Sequence, residues 1–389
     1  MMAPPVVTLP REDRTLTRYE LGEACPYGPP PAPLRSRIAY AAVHVVADPV
    51  ADNTPGSAAR LDWDATLAYR RYLWSLGLAV AEAMDTAQRG MGLDWAACKE
   101  LIRRTAAEAR AARGGLACGA MTDQLPPGRA SLKEIETAYE EQCAFIEDAG
   151  ASVVVMASRH LAAAAAGPED YLQVYGHVLS RVARPVILHW LGEVFDPHLA
   201  GYWGSPDLDV AAQTVVRIVH DHADKVDGVK LSLLDARREV ALREQLQRDD
   251  VRLYTGDDFD YVRMIRGDGR AHSDALLGIF DAIAPAASAA IRALDLGDVD
   301  AYDAILAPTL PLARHIFQAP TYHYKTGIVF LAYLNGHQRH FRMVGGMESA
   351  RSVVHLAEIL VLADRARVLR VPELAAARMR KVLAVAGIE

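Results

Sequence analysis

The 389-residue sequence holds only four cysteines, Cys25, Cys98, Cys118 and Cys143. They lie far apart with no C-x-x-C pair, which argues against a disulfide scaffold, a zinc knuckle and a redox dithiol. Such thiols fill small apolar spaces in a reducing compartment. No uninterrupted apolar stretch approaches the ~20 residues that a membrane-spanning helix needs. The longest candidate, Leu161 to Gly167, is an alanine run between His160 and Glu169. The opening MMAPPVVTLPREDRTLTRYE lacks a basic start followed by an apolar run, so it does not read as a signal peptide, and the expected setting is the cytoplasm. Positive charge is not in excess: 42 basic against 49 acidic residues give a net charge of −7. The basic residues are scattered, so no nucleic-acid partner is expected. No G-x-G-x-x-G turn follows the first apolar run, and no H-x-H or H-x-x-x-H pair stands at a strand end. No cofactor and no bound metal are therefore expected.

What is present is ample core material, 51% hydrophobic and 23% charged residues, close to the average for folded globular chains. Residues 1–35 are rich in proline and end in the cluster Pro29, Pro30, Pro31 and Pro33. They read as an extended arm, because proline fixes φ and removes the donor that a ladder or helix interior requires. From Arg37 onward, short apolar runs alternate with helical stretches. The runs cover 38–46, 78–86, 115–123, 151–158, 185–192, 227–235, 251–258 and 275–283. The helices between them carry apolar stripes, the clearest being Tyr171, Val174, Tyr175, Val178, Leu179 and Val182, at the spacing of one helix face. Eight strand–helix repeats predict an α/β fold, a (β/α)8 TIM barrel over 36–295, rather than an open doubly wound sheet. Segments with helical period but no strands follow, so 296–389 is expected to be a C-terminal helical domain.

In such a barrel the reacting groups project from the C-terminal strand ends. Lys230 is the most informative residue there. It alternates with Val229 and Leu231 in the sixth run, so it points into the barrel. Desolvation lowers a lysine pKa, and a neutral amine attacks a carbonyl to form a Schiff base whose iminium stabilises a neighbouring carbanion. The structural alternative is an ion pair with Asp257 or Glu82.

Gly228-Val229-Lys230 resembles the G-[IV]-K motif on strand six of the dihydrodipicolinate synthase and N-acetylneuraminate lyase superfamily, the class I Schiff-base lyases and aldolases. Leu253-Tyr254-Thr255-Gly256-Asp257-Asp258 is similar to that family's strand-seven S-G-D-D. The segment Ala275 to Pro285 is similar to its G-x-x-S-x-x-x-N-x-x-P, and Tyr324-Lys325 and Arg342 to its C-terminal elements. These matches span most of residues 36–350 in family order. The resemblance implies an eight-stranded barrel, an imine-forming Lys230 and a C-terminal helical domain that supports a homodimer or homotetramer.

The departures shape the expected chemistry. Met84-Asp85-Thr86-Ala87-Gln88 replaces the family's carboxylate-binding G-T-T-G-E, and only Thr86 matches well. Arg159-His160-Leu161 stands where the family has its proton-shuttle tyrosine, and His189-Trp190-Leu191-Gly192 replaces Y-N-x-P. His189, with His160 second, is expected to move protons in place of the tyrosine. Asp85, Thr86, Gln88, Tyr254 and Asp257 are expected to bind substrate. Asp257 and Asp258 also read as a cap for the helix that follows. Carboxylates and amides suit hydroxyl groups, so the expected substrate is a small carbonyl compound, a polyhydroxylated sugar-derived ketone or keto acid. Two other readings compete. One is a metal-dependent isomerase or class II aldolase using Glu82, Asp85, His160, His189 and Glu193 as ligands. The other is a catalytically silent binding barrel.

Overall fold

The computed structural model describes residues 4–388 apart from Pro31, Gln247 and Asp249, so one proline of the predicted cluster lies outside the described residues. Two strands, β1 (Val6–Pro10) and β2 (Leu16–Glu20), precede eight more: β3 (Ala39–Ala42), β4 (Ala79–Glu82), β5 (Leu116–Ala120), β6 (Ser152–Val155), β7 (Val186–Leu191), β8 (Val226–Ser232), β9 (Arg252–Thr255) and β10 (Asp274–Leu277). Each of the eight predicted runs overlaps one of β3–β10, and these close into a parallel barrel in chain order. β10 pairs with β3, Ala275 against Ala39. Closure leaves no unpaired sheet edge, and helices cover the outer face, so the strands are buried on both sides.

The period of two in the strands separates two apolar layers. Ala42, Ala81, Ala117, Val154, Ile187 and Leu276 point inward and fill the barrel centre with Met84, Met156 and Tyr254. Val80, Cys118, Val153, Leu188 and Val229 point outward against the helices. The predicted stripe from Tyr171 to Leu179 is the buried face of the helix Pro168–Arg181. The helix Leu132–Asp148 starts on a capping box in which Ser131 and Glu134 satisfy each other's backbone N–H, at a spacing legible in the sequence.

After β10 the chain is helical. One predicted helix, 301–313, is two: Val299–Leu306 and Leu310–Ile316, separated by the turn Ala307–Thr309. Pro308 lacks the N–H that a continuous helix would need there. The helix Tyr324–Leu334 is buried on every side, as expected for a helix apolar all round. Among the described residues no helix is long and apolar enough to cross a membrane.

The arm differs from expectation. β1 and β2 form an antiparallel ladder from Val6↔Glu20 to Pro10↔Leu16. Pro5 and Pro10 bracket β1, so the residues between them keep their donors. Val7 and Leu9 are buried, and Asp364 in the helix Val353–Arg365 accepts from Gly22 N at 2.9 Å and Tyr19 Oη at 2.7 Å.

Candidate active site

Val229 and Leu231 face the outer layer, so Lys230 between them faces the barrel interior. It stands level with His189 on β7 and Tyr254 on β9 and is 5% exposed. Among the described residues its amine has neither an ion-pair nor a hydrogen-bond partner within the usual limits. Burial holds the amine below the ordinary lysine range, against the pull of Asp85 and Asp258. A Cβ on Gly256 would collide with Ser232 Oγ and come within 3.0 Å of Lys230 Cε. The glycine after β9 therefore makes room for the lysine.

Asp85 opens the turn Asp85–Ala87 that follows β4. Tyr324, the first residue of the buried C-terminal helix, donates its hydroxyl to Asp85 Oδ2 at 2.6 Å. Thr86 Oγ1 lies 2.7 Å from the same tyrosine oxygen. The single phenolic proton goes to the carboxylate, so Thr86 donates in turn, giving a chain Thr86 to Tyr324 to Asp85. Burial pushes Asp85 up, but Lys325, Lys230, His189 and the Tyr324 bond together hold it below its usual value. Burial raises Asp258, whose Oδ1 accepts from Ile279 N at 2.9 Å. The lysine thus feels both an ionised and a protonation-prone carboxyl.

His189 Nε2 lies 3.2 Å from Ser232 Oγ, and its Nδ1 is buried with no partner. Burial, reinforced by Lys230, keeps this ring neutral far below its ordinary pKa.

A cavity of about 580 Å³ opens above these residues, and Asp85 and Lys325 stand in its wall. Lys230 and His189 are not among its lining residues. Lys325 is 2% exposed and donates to Tyr322 O at 3.1 Å. Burial lowers its pKa to about 8, with Asp85 and Asp196 opposing and Arg159 adding to the fall.

Lys230, His189 and Asp85 lie near enough for their charges to interact, and Thr86 is linked to Asp85 through Tyr324; four other predicted residues do not join them. Tyr254 is level with Lys230 and points inward, but its side chain leans back toward the start of β8, where its hydroxyl donates to Asp227 Oδ2 at 2.6 Å. Gln88 is a left-handed residue, φ 65°, whose amide donates to Val344 O at 2.7 Å and pins the loop to the C-terminal segment. Asp257 accepts from Phe259 N at 2.9 Å and Asp260 N at 3.2 Å, closing the turn before the helix Tyr261–Arg266; neither it nor Asp258 forms the expected cap, since the N-cap of that helix is Asp260 and makes no side-chain cap bond. His160 borders the cavity but is held outside the cluster by Thr122 Oγ1 at 2.9 Å and Pro126 O at 3.1 Å.

Of the ligands in the metal-dependent reading, Glu82 is held by a bidentate Arg70 pair at 2.8 and 2.9 Å and by Thr105 at 2.8 Å. Glu193 is exposed. Among the described residues no three histidine, cysteine or acidic side chains group as metal ligands. The roles of Tyr324, Lys325 and Gly256 were not read from the sequence. Tyr324 and Lys325 lie over 230 residues from Asp85 along the chain, and only their place in a resembling motif marked them.

The closed eight-stranded parallel barrel followed by helices is a fold shared by solved structures of the dihydrodipicolinate synthase family. A putative dihydrodipicolinate synthetase from Pseudomonas aeruginosa superposes with TM-score 0.65 at 17% identity, covering 85% of this chain and 99% of that one. YagE from E. coli K12, a prophage protein of the dihydrodipicolinic acid synthase family solved in complex with pyruvate, gives 0.67 at 13%, covering 85% and 99%. Dihydrodipicolinate synthase DapA-2 from Bacillus anthracis gives 0.61 at 15%, covering 85% and 98%. The chain itself belongs to the family described as "Protein of unknown function (DUF993)", whose model it matches over residues 7–388. No curated protein matches it.

Proposed function

We propose that this protein is a Schiff-base-forming lyase or aldolase acting on a small carbonyl compound, with Lys230 as nucleophile. The observation that carries the reading is a buried, unpaired lysine at the C-terminal strand ends beside an ionised carboxylate that walls a cavity. A lysine held there for structure alone would be ion-paired, because an unpaired buried ammonium is costly.

In this mechanism the carbonyl end of the substrate passes Asp85 to reach the amine. The nitrogen attacks the carbonyl carbon and gives up a proton to Asp85. Asp85 returns it to the oxygen to complete the carbinolamine, and a second proton, taken from water, lets that oxygen leave as water and the nitrogen lone pair form the protonated imine. The protonated imine then takes up the electron pair of the breaking C–C or C–X bond as an enamine, and reprotonation and hydrolysis restore the lysine. Tyr324 and Thr86 orient Asp85. His189, neutral and level with Lys230, serves as the second proton carrier.

The hydroxyl-rich part of the expected substrate loses support, because Tyr254, Gln88 and Asp257 are engaged away from the cavity. The C-terminal helices and the family resemblance support a homodimer or homotetramer, which sedimentation reads directly.

A second reading places the imine on Lys325, because this amine lines the cavity directly. Incubation with a panel of aldehydes, ketones and keto acids, followed by borohydride, tests the proposal by intact mass. Reduction should add the mass of the substrate less its carbonyl oxygen in wild type and not in Lys230→Met. An adduct that persists in Lys230→Met moves the chemistry to Lys325.

A further inference from the structure

The walls of the cavity are not those of a sugar site. Met91, Met121, Met156, Leu191, Phe195 and Leu199 line it, and methionine side chains adapt to apolar and aromatic groups of varied shape. At about 580 Å³ the space is of the size that holds a drug-sized ligand, more than a three-carbon keto acid fills.

Four cations stand in the same wall: Arg89 is paired with Asp123, Arg129 is exposed, and Arg159 and Lys325 remain. Arg159 donates from Nε to Asp196 Oδ2 at 2.6 Å. Its two terminal nitrogens have no hydrogen-bond partner among the described residues. They lie over Gly90, where a Cβ would sit 3.6 Å from Nη2. Lys325 is buried and bonded only to a backbone carbonyl. The acids nearby are largely occupied: Asp196 by Arg159, Asp123 by Arg89 at 2.7 Å, and Asp85 by Tyr324. Burial and the neighbouring Arg159 both act against the charge on Lys325, and a bound anion would offset both.

We infer that the cavity selects a carbonyl compound with an apolar or aromatic body and one anionic group, the body lying on the methionines and Phe195 and the anion on the free nitrogens of Arg159 and on Lys325. The inference rests on the Schiff-base reading for the carbonyl alone; the apolar body and the anion are read from the cavity wall.

Calorimetric titration of the full chain with three probes that cannot form an imine tests it: 3-phenylpropanoate, its neutral amide, and gluconate. Wild type and Lys230→Ala should both bind 3-phenylpropanoate at least about tenfold more tightly than either other probe, a margin within reach of one charge-assisted contact. In the double variant R159Q/K325Q the preference of carboxylate over amide should fall to near unity while the amide still binds. Gluconate binding as tightly as 3-phenylpropanoate, an equal affinity for carboxylate and amide in wild type, or no binding of any probe each overturns the inference. So does a carboxylate preference that survives the double variant. The wild-type comparison stands even if that variant fails to fold. A missing borohydride adduct on Lys230 would sink the Schiff-base reading without moving these ratios.

Discussion

Replacing Lys230 by methionine keeps the length of the side chain and removes the amine. Among the described residues no carboxylate lies within 4.0 Å of that amine, so its attraction to ionised Asp85 is below about 4 kcal/mol at an effective dielectric constant near 20. Against this stands a desolvation penalty of several kcal/mol for a buried ammonium. The lowered lysine pKa shows that burial outweighs the two carboxyls. Lys230→Met should therefore leave stability unchanged or raise it by about 1–2 kcal/mol, shifting Tm upward by about 2–4 °C for each kcal/mol. Turnover should vanish, the pattern of a site held at some cost to stability for its function. Differential scanning calorimetry on both proteins at pH 7.5 reads the first effect, and carbonyl turnover or trapping reads the second. A loss of about 3 kcal/mol or more would mark Lys230 as one half of a structural ion pair with Asp85 and would refute the reasoning.

Three further outcomes follow from the geometry. Tyr324→Phe removes the hydroxyl that holds Asp85 at 2.6 Å. The carboxylate loses a contact that favours its charged form, so the acidic limb of the pH–rate profile should move to higher pH, with stability falling by about 1.5–3 kcal/mol; an unmoved limb would remove Asp85 from proton transfer. Gly256→Ala puts a methyl group against Ser232 Oγ and Lys230 Cε and should cost about 1–3 kcal/mol through overpacking, with a larger proportional loss of turnover than of folded protein at 25 °C; full activity would mean that the lysine does not need that space. Burial raises Glu239 to about 7 despite its bond from Ser273 and the nearby Arg243, with Asp257 adding to the rise. Its folded pKa lies above the unfolded one, so its contribution is full below about pH 4.5 and lost as pH rises through about 7, a fall of about 3 kcal/mol. Glu239→Gln should flatten that part of the stability–pH curve, and superimposable urea titrations of the two proteins from pH 5 to 8 would contradict this.

The barrel was legible because its strands are short, apolar on both faces and spaced by helices with clean stripes. The alternation of Val229, Lys230 and Leu231 was enough to point the lysine inward. Alternation assigns a face but not the direction in which a side chain leans along the barrel axis, which is why Tyr254, in register with Lys230, belongs to the inner layer yet meets Asp227. Gln88 illustrates a second limit: its polar side chain is consumed by Val344, 256 residues away, a contact no local pattern encodes. Tyr324 is the converse case, a buried aromatic at a helix start that becomes part of the site only when the C-terminal helices close over the barrel. The proline-rich arm formed a ladder because what matters is where the prolines fall, and Pro5 and Pro10 fall at the ends of β1.

The central claim concerns one nitrogen, and the most direct test is to locate the reduced adduct by peptide mapping after borohydride treatment with a substrate that turns over. The account predicts a stoichiometric label on the peptide containing Lys230, with Lys325 unmodified. Label confined to Lys325, or turnover that persists with no lysine labelled, would contradict it.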